Sequence, residues 1–133
     1  MIYLDTSAVL KLVLPEPETT ALELWLAERI GLPRVSSRLL RIELLRAVRR
    51  YAPTRAERAH VVLSAVALAS IDDAASTAET VGEPLLRSLD AIHLATALAM
   101  RSTLTAFVTY DKRLASAASA AELPVAAPAS QLS

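Results

Sequence analysis

Short apolar runs alternate with helix-forming stretches along the whole chain, and the first run, IYLD at residues 2–5, ends on a carboxylate. Alternation of this kind leaves few folds open. Parallel strands need long crossovers, usually helices, and right-handed crossovers lay those helices on the faces of the sheet. The pattern predicts an α/β domain in three layers, α/β/α, around a central, mostly parallel sheet of four to five short strands.

The individual elements follow from periodicity and breakers. Ile2 to Asp5 reads as the first strand, and Thr6 or Ser7 can cap a helix to about Val13, which Pro15 and Pro17 stop. Leu22, Trp25, Leu26 and Ile30 form one stripe of a second helix, from about Glu18 to Ile30. Arg34 to Ser36 reads as the second strand, and Ser36 or Ser37 caps a helix to about Tyr51. Pro53-Thr54 opens another, to about Leu68, followed by a weak strand signal at Ala69 to Ile71. A short helix is expected near Ser76 to Val81, ending at Gly82. Ser88 to Met100 reads as a helix buried nearly all round. Ala106 to Thr109 is a clear strand, Lys112 to Ala121 the last helix, and Pro124 to Ala126 a closing strand with a frayed tail beyond it.

With 133 residues, 53% hydrophobic content, and neither repeat nor linker, residues 1–133 read as a single globular domain. No apolar run approaches the roughly 20 residues needed to span a bilayer, and no signal peptide is recognisable. The absence of cysteine rules out disulfides, thiolate metal sites and thiol nucleophiles, and fits a cytoplasmic location. Net charge is zero, with 14 basic and 14 acidic residues, so no basic field covers the whole molecule. Seven of the basic residues, Arg38, Arg41, Arg46, Arg49, Arg50, Arg55 and Arg58, nevertheless fall in one segment opposed only by Glu43 and Glu57. Such a segment is either a solvated helix surface or a face for phosphate.

Four carboxylates stand where charge is costly. Asp5 and Asp111 follow the ends of the first strand and of AFVT, where open parallel sheets bind ligands if the strands are neighbours at the switch point. Helix N-capping is the structural alternative for each. Glu43 projects from a face shared with Leu39, Leu40 and Ala47, and its structural alternative is an ion pair with Arg46. Asp90 sits in the first turn of SLDAIHLATALAM, above Leu94 and Ala97. Gathered without a counter-charge, four carboxylates would repel, and a divalent cation resolves this. Mg²⁺ or Mn²⁺ takes oxygen ligands and keeps waters, and can activate water and steady the leaving oxygen of a phosphodiester.

The motifs IYLDTSAVLKL, IELLRA, LDAIHLATA and FVTYDKRL, in this order and on these elements, resemble PIN-domain nucleases, in particular VapC-type toxins of bacterial toxin–antitoxin pairs. The resemblance implies an acidic quartet, Asp5, Glu43, Asp90 and Asp111, that is both catalytic and metal-binding. It implies supporting hydroxyls at Thr6, Ser7 and Thr109, which orient carboxylates or water. It further implies a Mg²⁺- or Mn²⁺-dependent endoribonuclease, a homodimer, and neutralisation by a cognate VapB-type antitoxin. Arg46, Lys112 and Arg113 are candidate RNA contacts. His93 is expected as a packed, hydrogen-bonded residue, His60 on a helix surface, Asp72-Asp73 in a solvated turn or strand end, and Trp25 in the core or a partner interface.

Two other functions compete. A haloacid-dehalogenase-type phosphatase also places a nucleophilic aspartate after its first strand, but usually wants a second acid two residues on, where this chain has Ser7. A non-catalytic module would bind RNA or a partner through the arginine segment, its acids only capping helices.

Overall fold

The computed structural model describes residues 1–130. Five strands form one sheet, ordered β3-β2-β1-β4-β5: β1 (Ile2–Leu4), β2 (Arg34–Ser37), β3 (Ala67–Ala69), β4 (Ala106–Val108) and β5 (Val125–Ala126). Every strand pairing is parallel, so the sheet expected to be mostly parallel is entirely so among the described residues. The seven α-helices among the described residues are α1 (Thr6–Val13), α2 (Thr19–Ala27), α3 (Leu39–Tyr51), α4 (Ala56–Ser64), α5 (Ile71–Ala78), α6 (Ser88–Ala99) and α7 (Lys112–Ala120).

Side chains alternate across the central strands and divide the interior into two cores. Ile2, Leu4, Ala106 and Val108 pack on one face with Val9, Leu22, Leu26, Leu40, Leu44 and Val62 from α1 to α4. Tyr3, Val35 and Phe107 face the other way, against Leu94 and Ala97 of α6 and Leu114 and Ala118 of α7. The three-layer expectation holds, with α5 lying against α6. No helix among the described residues is long and apolar enough to cross a membrane.

Local expectations fail between Pro53 and Val81. The helix after Pro53 stops at Ser64, and the third strand lies at Ala67–Ala69 because residues 67 to 69 pair with Val35 to Ser37. Ile71 then opens a helix rather than closing a strand. Ser70 accepts from the Asp72 amide, and Asp72 and Asp73 occupy the first turn, where carboxylates favour the helix dipole. The helix expected at Ser76 to Val81 is therefore α5, begun earlier, and Asp72-Asp73 belongs to no turn or strand end. The tail beyond residue 126 is docked as far as it is described. Ala127 is buried and the Pro128 carbonyl accepts from the Tyr110 hydroxyl; the last three residues lie outside the described residues.

Candidate active site

The order of the sheet reverses direction at β1 and β4. These strands pair from Ile2↔Ala106 to Leu4↔Val108, so their carboxyl ends open side by side. That juncture is the topological switch point at which doubly wound sheets bind ligands. A cleft of about 340 Å³ lies there, and its lining includes Asp5, Glu43, Asp90 and Asp111, with Thr6, Ser7 and His93.

Asp5 is the most constrained of the four, at 3% exposure. Its Oδ1 accepts from the Ala8 amide at 2.9 Å and the Ser7 hydroxyl at 2.7 Å, and its Oδ2 accepts from Thr109 at 2.5 Å. Asp5 is thus itself the N-cap of α1, its structural alternative in the sequence, and neither Thr6 nor Ser7 takes that position. Capping and cleft lining coexist: of about four lone-pair sites on a carboxylate, three are used and one on Oδ2 remains. Burial pushes the Asp5 carboxyl above its ordinary range, opposed by His93 and by the hydrogen bonds from Thr109, Ser7 and Ala8.

Ser7 and Thr109 bind the two strand ends together. Ser7 accepts from the Tyr110 amide and Thr109 from the Asp111 amide while both donate to Asp5. Asp111 caps α7 through Oδ1, which accepts from the Leu114 amide at 2.8 Å, leaving Oδ2 without a hydrogen bond among the described residues.

Glu43 reaches the cleft from α3, where Leu40 and Leu44 anchor the same helix in the core. Its Oε1 accepts from Thr6 at 2.6 Å and lies 2.9 Å from His93 Nε2. Burial would raise Glu43, but the bonds from His93 and Thr6 win and hold it below its ordinary range. The structural alternative, an ion pair with Arg46, does not form among the described residues; the partner of Glu43 is His93. Asp90, in the first turn of α6, accepts no hydrogen bond among the described residues. Burial raises it, and Asp111, Asp5 and Glu43 add repulsion that His93 partly offsets. All four acids line the same cleft.

His93, packed and hydrogen-bonded as expected, also belongs to the site, which the sequence reading did not give it. Its Nδ1 lies 2.6 Å from the Tyr3 hydroxyl, so Tyr3 supports Glu43 through it. The spacing from Asp90 to His93, one helical turn, was the available signal. Arg87, at the cleft rim just ahead of α6, was also missed. Of the expected RNA contacts, Lys112 and Arg113 are exposed at the start of α7 beside Asp111, lining a neighbouring hollow with Ser116. Arg46 lies in a separate hollow farther along α3. His60 is exposed on α4, and Trp25 packs at the core edge beneath the Arg29 guanidinium.

The donors suit a hard divalent cation in kind: Asp90, Asp111 Oδ2, Glu43 Oε2 and the last site on Asp5 Oδ2 are all oxygens left open. As the side chains are arranged, no three His, Asp or Glu groups among the described residues are disposed to grip a metal. Mg²⁺ requires no such cage, because it keeps several waters and takes one or two carboxylates.

A parallel doubly wound sheet with four acids at its switch point defines the class of PIN-domain proteins, and residues 2–120 match the PIN domain family model. The chain belongs to that family, among the VapC ribonucleases. Ribonuclease VapC47 of Mycobacterium tuberculosis is 48% identical over 120 residues, covering 87% of this chain and 88% of that protein. Ribonuclease VapC35 of the same species is 47% identical over 131 residues, covering 96% and 97%. Among solved structures, the sarcin-ricin-loop-cleaving toxin VapC20 of M. tuberculosis matches with a TM-score of 0.71 at 17% identity, over 96% of this chain and 100% of its own. A chain of a toxin–antitoxin complex from Klebsiella pneumoniae matches with a TM-score of 0.64 at 20% identity, over 85% and 88%. At these identities the structural likeness is one of fold.

Proposed function

We propose that this chain is an endoribonuclease toxin that hydrolyses RNA phosphodiester bonds at the Asp5, Glu43, Asp90 and Asp111 cleft with Mg²⁺ or Mn²⁺. The observation that carries the reading is the set of carboxylate oxygens left open at the switch point, on acids from four different elements. Asp90, Asp111 and Glu43 would hold the ion, with Asp5 contributing its remaining lone pair. Bound there, such an ion lowers the pKa of water and stabilises the developing charge on the leaving oxygen.

The chain's own part is orientation. Ser7 and Thr109 fix Asp5, while Thr6 and His93 fix Glu43. With these engagements the three hydroxyls serve as props rather than nucleophiles. The first turn of α6 and Arg87 give an incoming phosphate a positive edge. Family membership and Ser7 at the second-acid position weigh against the phosphatase. Glu43 and Asp90 weigh against a purely structural role, since neither caps a helix.

A VapB-type antitoxin is the expected inhibitor. The groove between α2 and α4, lined by Leu26, Ile30, Val61, Val62 and Arg58, suits an amphipathic segment. The chain is further read as a homodimer. Purified protein with Mg²⁺ and labelled RNA should release fragments, and Asp90→Ala should release none. Equal rates in both would overturn the reading, and so would Mn²⁺ binding unaltered by Asp90→Ala in isothermal titration.

A further inference from the structure

The helix that carries Glu43 has a second feature, one that the acid cleft leaves unused. Arg46 and Arg50 stand three and seven residues after Glu43, so at 3.6 residues per turn both lie near the Glu43 line of α3. With Arg49 and Tyr51 they line a hollow open to solvent. All three arginines are exposed, and none forms an ion pair among the described residues. Arg46 faces Arg49 at i+3 and Arg50 at i+4, spacings at which like charges destabilise a helix. The dipole at the helix C-terminus favours Arg49 and Arg50, but it leaves the charge at Arg46 and the absence of acidic partners unexplained. Tyr51 is 70% exposed, and the Arg50 guanidinium lies over its ring, 5.2 Å from the centroid.

Guanidinium forks match phosphate, and an exposed aromatic ring offers a base a stacking face. The lining has a single small apolar side chain, Ala47, and so lacks the pockets that anchor a protein segment. We propose that this hollow is a subsite for single-stranded RNA next to the scissile phosphate. Arg46, Arg49 and Arg50 hold backbone phosphates, and Tyr51 stacks a base. The inference rests on the reading of the cleft as an RNA-cutting site and extends it to the flanking nucleotides. The strand then leaves the cleft along α3, passing Arg46 about 4.5 Å and Tyr51 about 12 Å from Glu43 along the helix axis.

The test uses the full chain, a fluorescently labelled unstructured RNA oligonucleotide, and EDTA to prevent cleavage, with anisotropy read between about 50 and 200 mM salt. R46Q/R49Q/R50Q should bind at least about tenfold more weakly. At about 0.7 per phosphate, it should also lower the slope of log affinity against log salt by about 2. Tyr51→Ala should weaken binding about tenfold with the slope unchanged, and Tyr51→Phe should restore it. Arg46→Gln alone, with Tyr51→Ala, keeps the test decisive if the triple variant does not fold. Wild-type affinity and slope in these variants overturn the subsite, as does unchanged RNA binding with loss of a protein partner. Cleavage, measured separately, distinguishes the two readings. A wild type that binds RNA here but cuts none overturns the nuclease reading alone, whereas variants that bind and cut like the wild type overturn the subsite alone.

Discussion

His93 Nε2 stands 2.9 Å from Glu43 Oε1 while its Nδ1 stands 2.6 Å from the Tyr3 hydroxyl, so one buried ring links the first strand to the carboxylate on α3. Burial holds the Tyr3 hydroxyl far above its ordinary range, and it stays a donor. In the tautomer that this network assigns, Nδ1 accepts from Tyr3 and Nε2–H donates to Glu43. His93→Ala should lower RNA cleavage about 10- to 100-fold, as losing the support of a metal-site ligand does. Tyr3→Phe strips Nδ1 of its partner and should cost about 1–2 kcal/mol in urea unfolding, with a smaller loss of rate. Full cleavage by His93→Ala would remove His93 from the site.

Asp90 exchanges stability for function. Its carboxyl is raised by burial and by Asp111, Asp5 and Glu43, so its favourable contribution belongs to the protonated form. That contribution is present below the unfolded pKa and is lost as pH rises through the raised folded pKa. At neutral pH the charge strains the fold, and Asp90→Asn should melt higher than wild type, by a margin that shrinks in acid. Mn²⁺ should reverse the order. An ion at 100 times its Kd stabilises a protein by about 2.7 kcal/mol, which wild type gains and Asp90→Asn does not. Thermal melts with and without Mn²⁺ check both signs.

Glu43 has the opposite sign. Hydrogen bonds from His93 and Thr6 overcome burial and hold its carboxyl below the ordinary range. Its contribution is present above the unfolded pKa and is lost as pH falls through the lowered folded one. Thr6→Val removes one of the bonds at nearly constant volume. It should destabilise the protein by about 1 kcal/mol at neutral pH and by progressively less below the ordinary glutamate range. Urea titrations of both proteins across that interval measure the difference, and a constant gap would mean that Thr6 acts by packing alone.

The architecture was legible because β1 and β4 are apolar runs, Ile2–Leu4 and Ala106–Val108, each followed by polar residues, and the long helices carry apolar stripes. What failed was local competition. Ser70, Asp72 and Asp73 together make a helix start, but the apolar Ala69 and Ile71 on either side of Ser70 masked it, and residues 67 to 69 became a strand only because β2 offered a partner. In the site, the four acids stood out as a set, since Asp5 and Asp111 follow apolar strands and Glu43 and Asp90 share helix faces with apolar residues, whereas Asp5 and Asp111 taken singly read as helix caps. Their hydrogen bonds could not be read, because His93 meets Tyr3 and Glu43 across separations of 90 and 50 residues, which only the folded sheet closes.

Asp5 joins two roles that substitutions can separate. It caps α1 through the Ala8 amide and also faces the cleft, so Asp5→Ala removes both functions. Losing the cap costs about 1 kcal/mol, and the Ser7 and Thr109 hydroxyls lose their acceptor as well. Asp5→Asn keeps an oxygen for the Ala8 amide and removes the charge. It should abolish cleavage while its urea midpoint stays closer to wild type than that of Asp5→Ala. Thr109→Val is the complementary variant, because it keeps the charge and deletes the buried donor to Oδ2 that also receives the Asp111 amide. It should cost about 1–3 kcal/mol through unpaired buried groups, whereas Thr109→Ser should keep the network. Cleavage rates beside urea midpoints for the four proteins separate charge from scaffold, and a fully active Asp5→Asn would show that Asp5 serves the fold alone.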